Sequence, residues 1–167
     1  MAEAVSKQLV VQEEDTQHGK FLTFQLGNEV YGIEIRYVTE IIRIQQITYV
    51  PEVPKYVKGI INLRGKVIPV IDVRLKFGKP PVDYDDRTCI IVIDINDTQI
   101  GLIVDCVSEV LNISDDNIVP PPSYKTGFQN KYIKGIGKVG NAVKLLLDCE
   151  KIISENDDTE AVEKLDN

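Results

Sequence analysis

The chain has few of the residues on which active sites and metal centres most often depend. It contains one histidine, His18, and three cysteines, Cys89, Cys106 and Cys149, which are far apart and lie in apolar runs. No serine stands in a Gly-x-Ser-x-Gly elbow. An odd number of widely spaced cysteines fits neither a disulfide framework nor a zinc site. We therefore expect buried, unpaired thiols, no metal, no cofactor and no enzymatic activity.

Basic residues and long apolar segments are also scarce. Lysine and arginine number 19 against 26 acids, which gives a net charge of −7. Such a balance argues against a phosphate-binding surface, so nucleic acid is not an expected partner. No segment approaches the roughly 20 consecutive apolar residues of a membrane helix, and the N-terminal stretch lacks the apolar core of a signal peptide. The sequence therefore predicts a cytoplasmic protein without direct membrane insertion.

The two ends of the chain differ from its middle. Residues 1–18 and 155–167 are polar and unpatterned, and the C-terminal stretch is strongly acidic, so we expect both to be disordered tails. Residues 19–154 carry short runs rich in Val, Ile, Phe and Tyr, broken by turn pairs and proline clusters. This pattern predicts a mostly β fold of many short antiparallel strands. Apolar residues at helical spacing predict helix only at 35–42 and 147–155.

The middle of the chain contains an internal repeat. Residues 24–42 align with 93–111 at an offset of 69, and residues 55–73 align with 131–149 at an offset of 76. In the second alignment seven of nineteen positions are identical, where average residue usage would give about one. Each copy is a hairpin followed by an apolar strand pair. One copy is too small to bury its own faces, so we expect two small barrel-like sheets that pack together.

The two copies differ most at the tip of the second hairpin. The first copy has Asn62-Leu63-Arg64-Gly65, whereas the second has Lys138-Val139-Gly140-Asn141. Positions where the copies agree, such as Asp72 and Asp148, serve the shared fold. Arg64 is absent from the copy that needs only to fold. It either pairs with a neighbouring carboxylate such as Asp72, or stays in solvent, or presents its forked donors to the carboxylates or carbonyls of a partner.

Several stretches together resemble the CheW family of chemotaxis coupling proteins, across most of residues 21–153. They are "LGNEVYGIEI", "VTEII", "VKGIINLRGKVIPVIDVRLKF", "DDRTCIIVIDINDTQIGLIVDCVSEVL" and "YIKGIGKVGNAVKLLLDCEKI". The resemblance implies two intertwined five-stranded SH3-like barrels with short helices. It also implies an adaptor or scaffold without chemistry of its own. Such adaptors bind the cytoplasmic tips of methyl-accepting chemoreceptors and the regulatory domain of the histidine kinase CheA, build signalling arrays, and transmit receptor state to kinase activity.

The resemblance also implies which residues carry these contacts. It places a receptor-facing groove on Val38, Glu40, Ile41, Gly59, Asn62, Arg64, Gly101, Val107 and Val110. It places a kinase contact on Tyr124. A larger CheV-type adaptor would carry a receiver domain and the kinase an ATP-binding domain, whereas only an acidic stretch follows Ile153. A small-molecule or peptide sensor on the same barrels remains an alternative, and it would need an enclosed pocket with convergent polar groups.

Overall fold

Eleven strands and two short helices make up the described part of the chain. The computed structural model describes residues 17–121 and 131–154, so the predicted tails, apart from residues 17 and 18, lie outside it. The strands of the first copy are β1 (Lys20–Leu26), β2 (Glu29–Glu34), β3 (Val38–Arg43), β4 (Val57–Leu63) and β5 (Lys66–Asp72). Those of the second are β6 (Cys89–Ile95), β7 (Thr98–Val104), β8 (Cys106–Asn112), β9 (Ile118–Val119), β10 (Ile133–Val139) and β11 (Ala142–Leu147). Helix α1 (Val73–Lys76) follows β5, and α2 (Cys149–Ile152) follows β11.

The strands form two sheets, and each sheet takes strands from both copies. The first sheet has the order β8-β1-β2-β11-β10-β9, and the second has the order β3-β6-β7-β5-β4. Strand β3 leaves its own hairpin to pair with β6, and β8 leaves its hairpin to pair with β1. The predicted mostly β fold of two duplicated sheets is confirmed. The copies are interleaved because the hairpins β1–β2 and β6–β7 are each flanked on both sides by strands of the other copy.

One sheet has six strands, one more than the five that were expected. Strand β9 pairs with β10 beside Gly135, where a Cβ atom would lie only 2.8 Å from the Ile118 side chain. The other sheet carries the same feature as a single bridge between Thr48 and Ile60. It lies beside Gly59, whose φ is +144° and whose Cβ would lie 2.0 Å from the Thr48 carbonyl oxygen. A glycine therefore lets the incoming linker cross each sheet closely.

Each copy also ends in the same way. The backbone N–H of Asp72 donates to the Tyr56 carbonyl at 2.7 Å, and that of Asp148 donates to the Tyr132 carbonyl at 2.8 Å. Both carboxylates then cap the short helix that follows by accepting from the backbone N–H three residues on. The agreement of these two aspartates is thus explained by the fold, as the repeat predicts.

The main core lies between the two sheets and is built from both copies. It includes Leu22, Phe24, Ile33, Ile93, Leu102 and Leu147, all almost completely buried. Strands β1, β6 and β7 contribute most of these side chains because they are the inner strands of the two sheets. Neither copy could bury these residues alone, so the exchange of strands and the shared core depend on each other.

The helix expected at residues 35–42 is mostly wrong. A single 3-10 turn covers Ile35–Tyr37, and residues from Val38 onward form strand β3. The apolar spacing fitted a helix, but β3 alternates half-buried and exposed positions along its length. Pairing with β6 decides the structure, because Val, Thr and Ile pack well on a pleated sheet. The second expected helix, at 147–155, is confirmed only as the four residues of α2.

The described residues contain three unpaired thiols. All three thiols are unpaired, but only Cys149 is buried, while Cys89 and Cys106 are half-buried. Burial raises the pKa of the Cys149 thiol to about 12. Within residues 17–121 and 131–154, no group of His, Cys, Asp and Glu side chains could hold a metal ion. No helix in this part of the chain is long and apolar enough to cross a membrane.

Candidate functional site

Arg64 occupies an unusual backbone position at the tip of the β4–β5 hairpin. Its φ is +52°, and that of Gly65 is +84°. A two-residue hairpin turn with both central residues at positive φ is of type I′, which favours Asn or Gly and strains other residues. The equivalent residue of the second copy is Gly140, with φ of +59°. The fold thus accepts glycine here, and the first copy keeps an arginine.

The guanidinium of Arg64 pairs with Glu40 on β3. Its Nη2 atom donates a charge-assisted hydrogen bond to Glu40 Oε1, although the arginine side chain remains 72% exposed. The alternative pairing with Asp72 is wrong. Asp72 is buried, accepts a 2.6 Å hydrogen bond from the Tyr84 hydroxyl and caps helix α1. Arg64 therefore belongs to the surface of the second sheet.

Closure of the second sheet brings β3 to the hairpin tip. The two outer strands of this sheet are β3 and β4, and the segment between them folds back over β4. Gln45 Nε2 donates to the Asn62 carbonyl at 3.3 Å, and Thr48 and Ile60 exchange backbone hydrogen bonds of 2.8 and 2.9 Å. The Asn62 carboxamide in turn accepts from the Gly65 N–H at 2.8 Å. These bonds close the sheet into a barrel and hold the turn that carries Arg64.

A shallow groove of about 400 Å³ lies beside this ion pair. Its lining residues are Thr39, Glu40, Leu63, Arg64, Lys66, Ile68 and Gln99. Next to Glu40 on β3, the Ile41 side chain is 43% exposed. We call Glu40, Ile41, Asn62 and Arg64 the Arg64 surface; Ile41, Asn62 and Arg64 are exposed, whereas Glu40 is half-buried. It combines one apolar side chain with a forked cation, a carboxylate and an amide, which suits recognition of a polar-faced helix.

A second cleft, larger than the groove beside Arg64, lies elsewhere and does not suit an enclosed ligand. It measures about 640 Å³ and is lined by charged residues that include His18, Glu34, Arg36, Asp115 and Lys134. The side chains of His18 and Asp115 on its wall are 74% and 79% exposed. A cleft so open to solvent does not match the enclosed pocket of a small-molecule sensor.

The sequence and the structure can now be compared with known proteins. The family model of the CheW-like domain matches residues 20–157. Chemotaxis protein CheW of Klebsiella aerogenes is 38% identical over 143 residues, which cover 86% of each chain. That of Bacillus subtilis is 32% identical and covers 86% of this chain and 92% of the relative. The chain belongs to the CheW-like family.

A solved member of the CheW family supports the same assignment. The scaffolding protein TtCheW from Thermoanaerobacter tengcongensis superposes with a TM-score of 0.73 at 38% identity, covering 78% of this chain and 88% of that one. These CheW relatives are named as chemotaxis and scaffolding proteins and not as enzymes. The names agree with the expectation that the chain is a chemotaxis scaffold without catalytic activity.

The remaining groove residues that the CheW resemblance implies differ in their exposure to solvent. Val38 on β3 and Val107 on β8 are equivalent in the repeat, and both are half-buried against the main core. Val110 on β8 is equivalent to Ile41 and is 51% exposed. Gly59 and Gly101 are buried. A Cβ atom would meet the Thr48 carbonyl at Gly59 and the Ile90 and Val70 side chains at Gly101, so neither residue offers a side-chain contact to a partner. Tyr124 lies outside the described residues.

Sequence reasoning found Arg64 and Glu40 separately but missed that they pair. It also missed Gln45, which holds the turn, and Lys66 and Gln99, which line the groove. The repeat contains one signal that could have pointed to the pair. Both copies have a glutamate at the third position of the exchanged strand or its equivalent, Glu40 and Glu109, whereas only the first copy has the arginine.

Proposed function

We propose that the chain is a cytoplasmic chemotaxis adaptor that couples methyl-accepting chemoreceptors to the histidine kinase CheA. It is recruited to receptor arrays, helps to build them, and transmits receptor state to kinase activity. One observation carries the proposal. An exposed arginine is kept in a left-handed backbone conformation at a hairpin tip where the equivalent hairpin uses glycine.

This arginine costs the fold more than it contributes. A left-handed conformation costs a non-glycine residue about 1–2 kcal/mol, and an ion pair as exposed as that of Arg64 and Glu40 contributes about 0.2–1 kcal/mol. Residues held in strained conformations are concentrated at binding sites, where function retains them. The Arg64 surface is therefore the part of the molecule that a partner would contact.

The chemistry of the Arg64 surface indicates what that partner presents. Only Nη2 of the guanidinium donates a hydrogen bond among the described contacts, and the side chain is 72% exposed, so its other N–H groups are available to a partner. Glu40 fixes the direction of the fork, and an arginine fork matches a carboxylate or a pair of carbonyls. The exposed Ile41 supplies apolar contact. A receptor helical hairpin with apolar anchors beside acids and amides would fit this surface.

Receptor and kinase contacts should use separate surfaces, because one adaptor must hold both proteins at once. We propose that Val38, Glu40, Ile41, Asn62, Arg64, Val107 and Val110 face the receptor, over the backbone at Gly59 and Gly101. Tyr124 is the proposed kinase contact. Glu40→Lys or Val107→Ala should then weaken receptor binding and spare the kinase domain.

The test is a pull-down with a receptor cytoplasmic fragment and with the kinase regulatory domain, each alone. Lys138→Ala is the matched control, because Lys138 is exposed and occupies the place equivalent to Asn62 in the second copy. The control should bind both partners as the unmodified protein does. Binding of the unmodified protein to neither partner would overturn the proposal. Loss of both contacts in one folded variant would indicate a single shared surface.

A further inference from the structure

The groove beside Arg64 is the open mouth of the barrel that the second sheet forms. Ile68, a buried residue that lines the groove, packs with Val70 and Val92 in the apolar cluster inside this barrel. Side chains alternate along a strand, so Lys66 lies on the same face of β5 as Ile68 and Val70. The groove thus continues the interior of the barrel out to solvent, and we call it the barrel mouth.

Two polar side chains that line the barrel mouth have no partner of their own. Lys66 is exposed, and Gln99 on β7 is half-buried. Neither side chain makes a hydrogen bond or an ion pair with the part of the chain that the structure describes. The one carboxylate of the mouth, Glu40, already accepts from Arg64. The mouth therefore has two cations against one anion, and the unpaired charge is that of Lys66.

The equivalent positions in the other barrel lack both of these donors. At the offsets of the repeat, Lys66 corresponds to Ala142, and Gln99 corresponds to Val30. The other copy does have a lysine nearby in sequence, Lys144, but at the place of the buried isoleucine of the barrel mouth. The fold that the two copies share thus requires neither donor. Like the arginine at the hairpin tip, they occur in one copy only and need another explanation.

The barrel mouth is continuous with the surface proposed for the receptor, because Glu40 and Arg64 belong to both. Lys66 follows Arg64 by two residues, so the Cα atoms of the two cations lie no more than about 7.6 Å apart. One turn of an α-helix rises about 5.4 Å, and residues three or four apart lie on one face of it. A helix that places one group on Arg64 therefore brings a second group, one turn away, within reach of Lys66.

We propose that the barrel mouth binds a carboxylate of the receptor hairpin, one helical turn from the group that Arg64 holds, with Lys66 and Gln99 as its donors. This inference rests on the receptor-binding function proposed above. The excess positive charge favours a carboxylate over an amide, and the Lys66 ammonium and the Gln99 amide both donate to carboxylate oxygens. Ile68 supplies an apolar contact for the methylene groups of an Asp or Glu side chain. The mouth would thus select receptors that carry an acid at this place.

The repeat indicates two substitutions that this fold accepts. Lys66→Ala and Gln99→Val introduce the residue types that the other copy has at these places, so both variants should unfold in urea close to the parent. In calorimetric titrations, Lys66→Ala should weaken binding of a receptor-tip fragment about fivefold or more, as expected for the loss of a charge-assisted bond. Gln99→Val should weaken it about threefold. Lys66→Arg keeps the charge and should stay within about twofold of the parent.

The other barrel provides a matched control. The double variant Ala142→Lys with Val30→Gln builds the same two donors at the equivalent positions, away from the Arg64 surface. It adds the charge that Lys66→Ala removes, and it should leave affinity for the receptor fragment unchanged. The affinity of Lys66→Ala should also fall less steeply with added salt than that of the parent, because one ion pair has been lost.

A double-mutant cycle identifies the carboxylate on the receptor. Each exposed acid of the receptor fragment would be replaced by alanine and measured against the parent, Lys66→Ala and Gln99→Val. We expect one acid whose replacement costs less affinity in each variant than in the parent, since its partner is already missing there. The other acids should contribute additively with both substitutions.

The possible failures are distinguishable. Fragment binding unaffected by Lys66→Ala and by Gln99→Val, with the loss from Arg64→Ala intact, would overturn this inference and leave the proposed function standing. Loss of affinity without any change in salt dependence, or without a coupled acid, would refute the carboxylate. A gain in affinity from the control double variant would show that net charge and not the site is responsible. No binding of the fragment by the unmodified protein would overturn the proposed function and this inference together.

Discussion

Replacement of Arg64 separates the cost of its backbone conformation from the value of its side chain. Arg64→Ala keeps the positive φ and removes only the exposed pair with Glu40, so it should lower the free energy of unfolding by less than about 1 kcal/mol. Arg64→Gly loses the same pair but recovers about 1–2 kcal/mol of backbone strain. It also gives back about 0.5–1 kcal/mol through the greater flexibility of glycine in the unfolded chain. The glycine variant should therefore be at least as stable as the alanine variant.

Receptor affinity should change much more than stability in these variants. Both variants should lose about 2 kcal/mol or more of receptor affinity, or roughly a 30-fold rise in Kd, as expected for an arginine that makes charge-assisted bonds in a desolvated contact. Arg64→Lys should recover only part of this loss, because an ammonium group cannot reproduce the fork. Lys138→Ala should bind as the unmodified protein does.

The assay combines calorimetric titration of a receptor-tip fragment with urea unfolding of the same samples. The reasoning requires that the affinity change greatly while the unfolding midpoint changes little. If Arg64→Ala and Arg64→Gly both lowered the free energy of unfolding by as much as they weakened binding, Arg64 would be a structural residue. A glycine variant clearly less stable than the alanine variant would refute the strain assigned to this turn.

Three further predictions concern stability. Asp105→Asn should cost about 1.5–3 kcal/mol by removing the charge-assisted pair with Arg74. The pKa of Asp105 is depressed from 3.8 in the folded protein. The pair therefore stabilises the fold above pH 3.8, and this contribution is lost as the pH falls through the lower folded-state pKa. Acid titrations of the free energy of unfolding should show this loss in the parent and not in the variant. Gly59→Ala should cost about 2 kcal/mol or more, since its Cβ would overlap a carbonyl oxygen at 2.0 Å. Gly65→Ala, with nothing within 4 Å of its Cβ, should cost only the left-handed strain of about 1–2 kcal/mol. If urea unfolding showed the same loss of stability for Gly59→Ala and Gly65→Ala, the argument from packing at Gly59 would be refuted. A fragment of residues 18–154 should melt within a few degrees of the full chain, because the sequence outside it is polar and unpatterned; loss of a cooperative transition would show that an end completes a barrel.

The repeat made most of the fold predictable, because its turn pairs and apolar runs place each hairpin directly. The identity of β3 was not predictable from spacing. Residues 38–42 can present apolar side chains at helical or strand intervals, and only the pairing with β6 decides between them. The sixth strand, β9, was missed for a related reason. Its two residues form a strand only because Gly135 lets them approach β10.

The candidate site was predictable in part. Comparison of the two copies singled out Arg64, because the fold does not need a cation at that place. Its partner could not be found from the sequence, since Glu40 lies 24 residues away and on the opposite outer strand of an open sheet. Only closure of the barrel brings the two side chains together. Asp72 was the nearer carboxylate in sequence, but helix capping and Tyr84 already occupy it.

The exchange of strands determines the order in which the two sheets can form during synthesis. All five strands of the second sheet come from the continuous stretch of residues 38–104, whereas the first sheet needs both the first hairpin and the last one. The hairpin of β1 and β2 leaves the ribosome first, yet β8 and β11 must be made before its two outer edges are paired. During translation the nascent chain therefore carries this apolar hairpin with at least one outer edge unpaired until residue 147 has emerged. The earliest part of the protein to be made is the last to be sheltered.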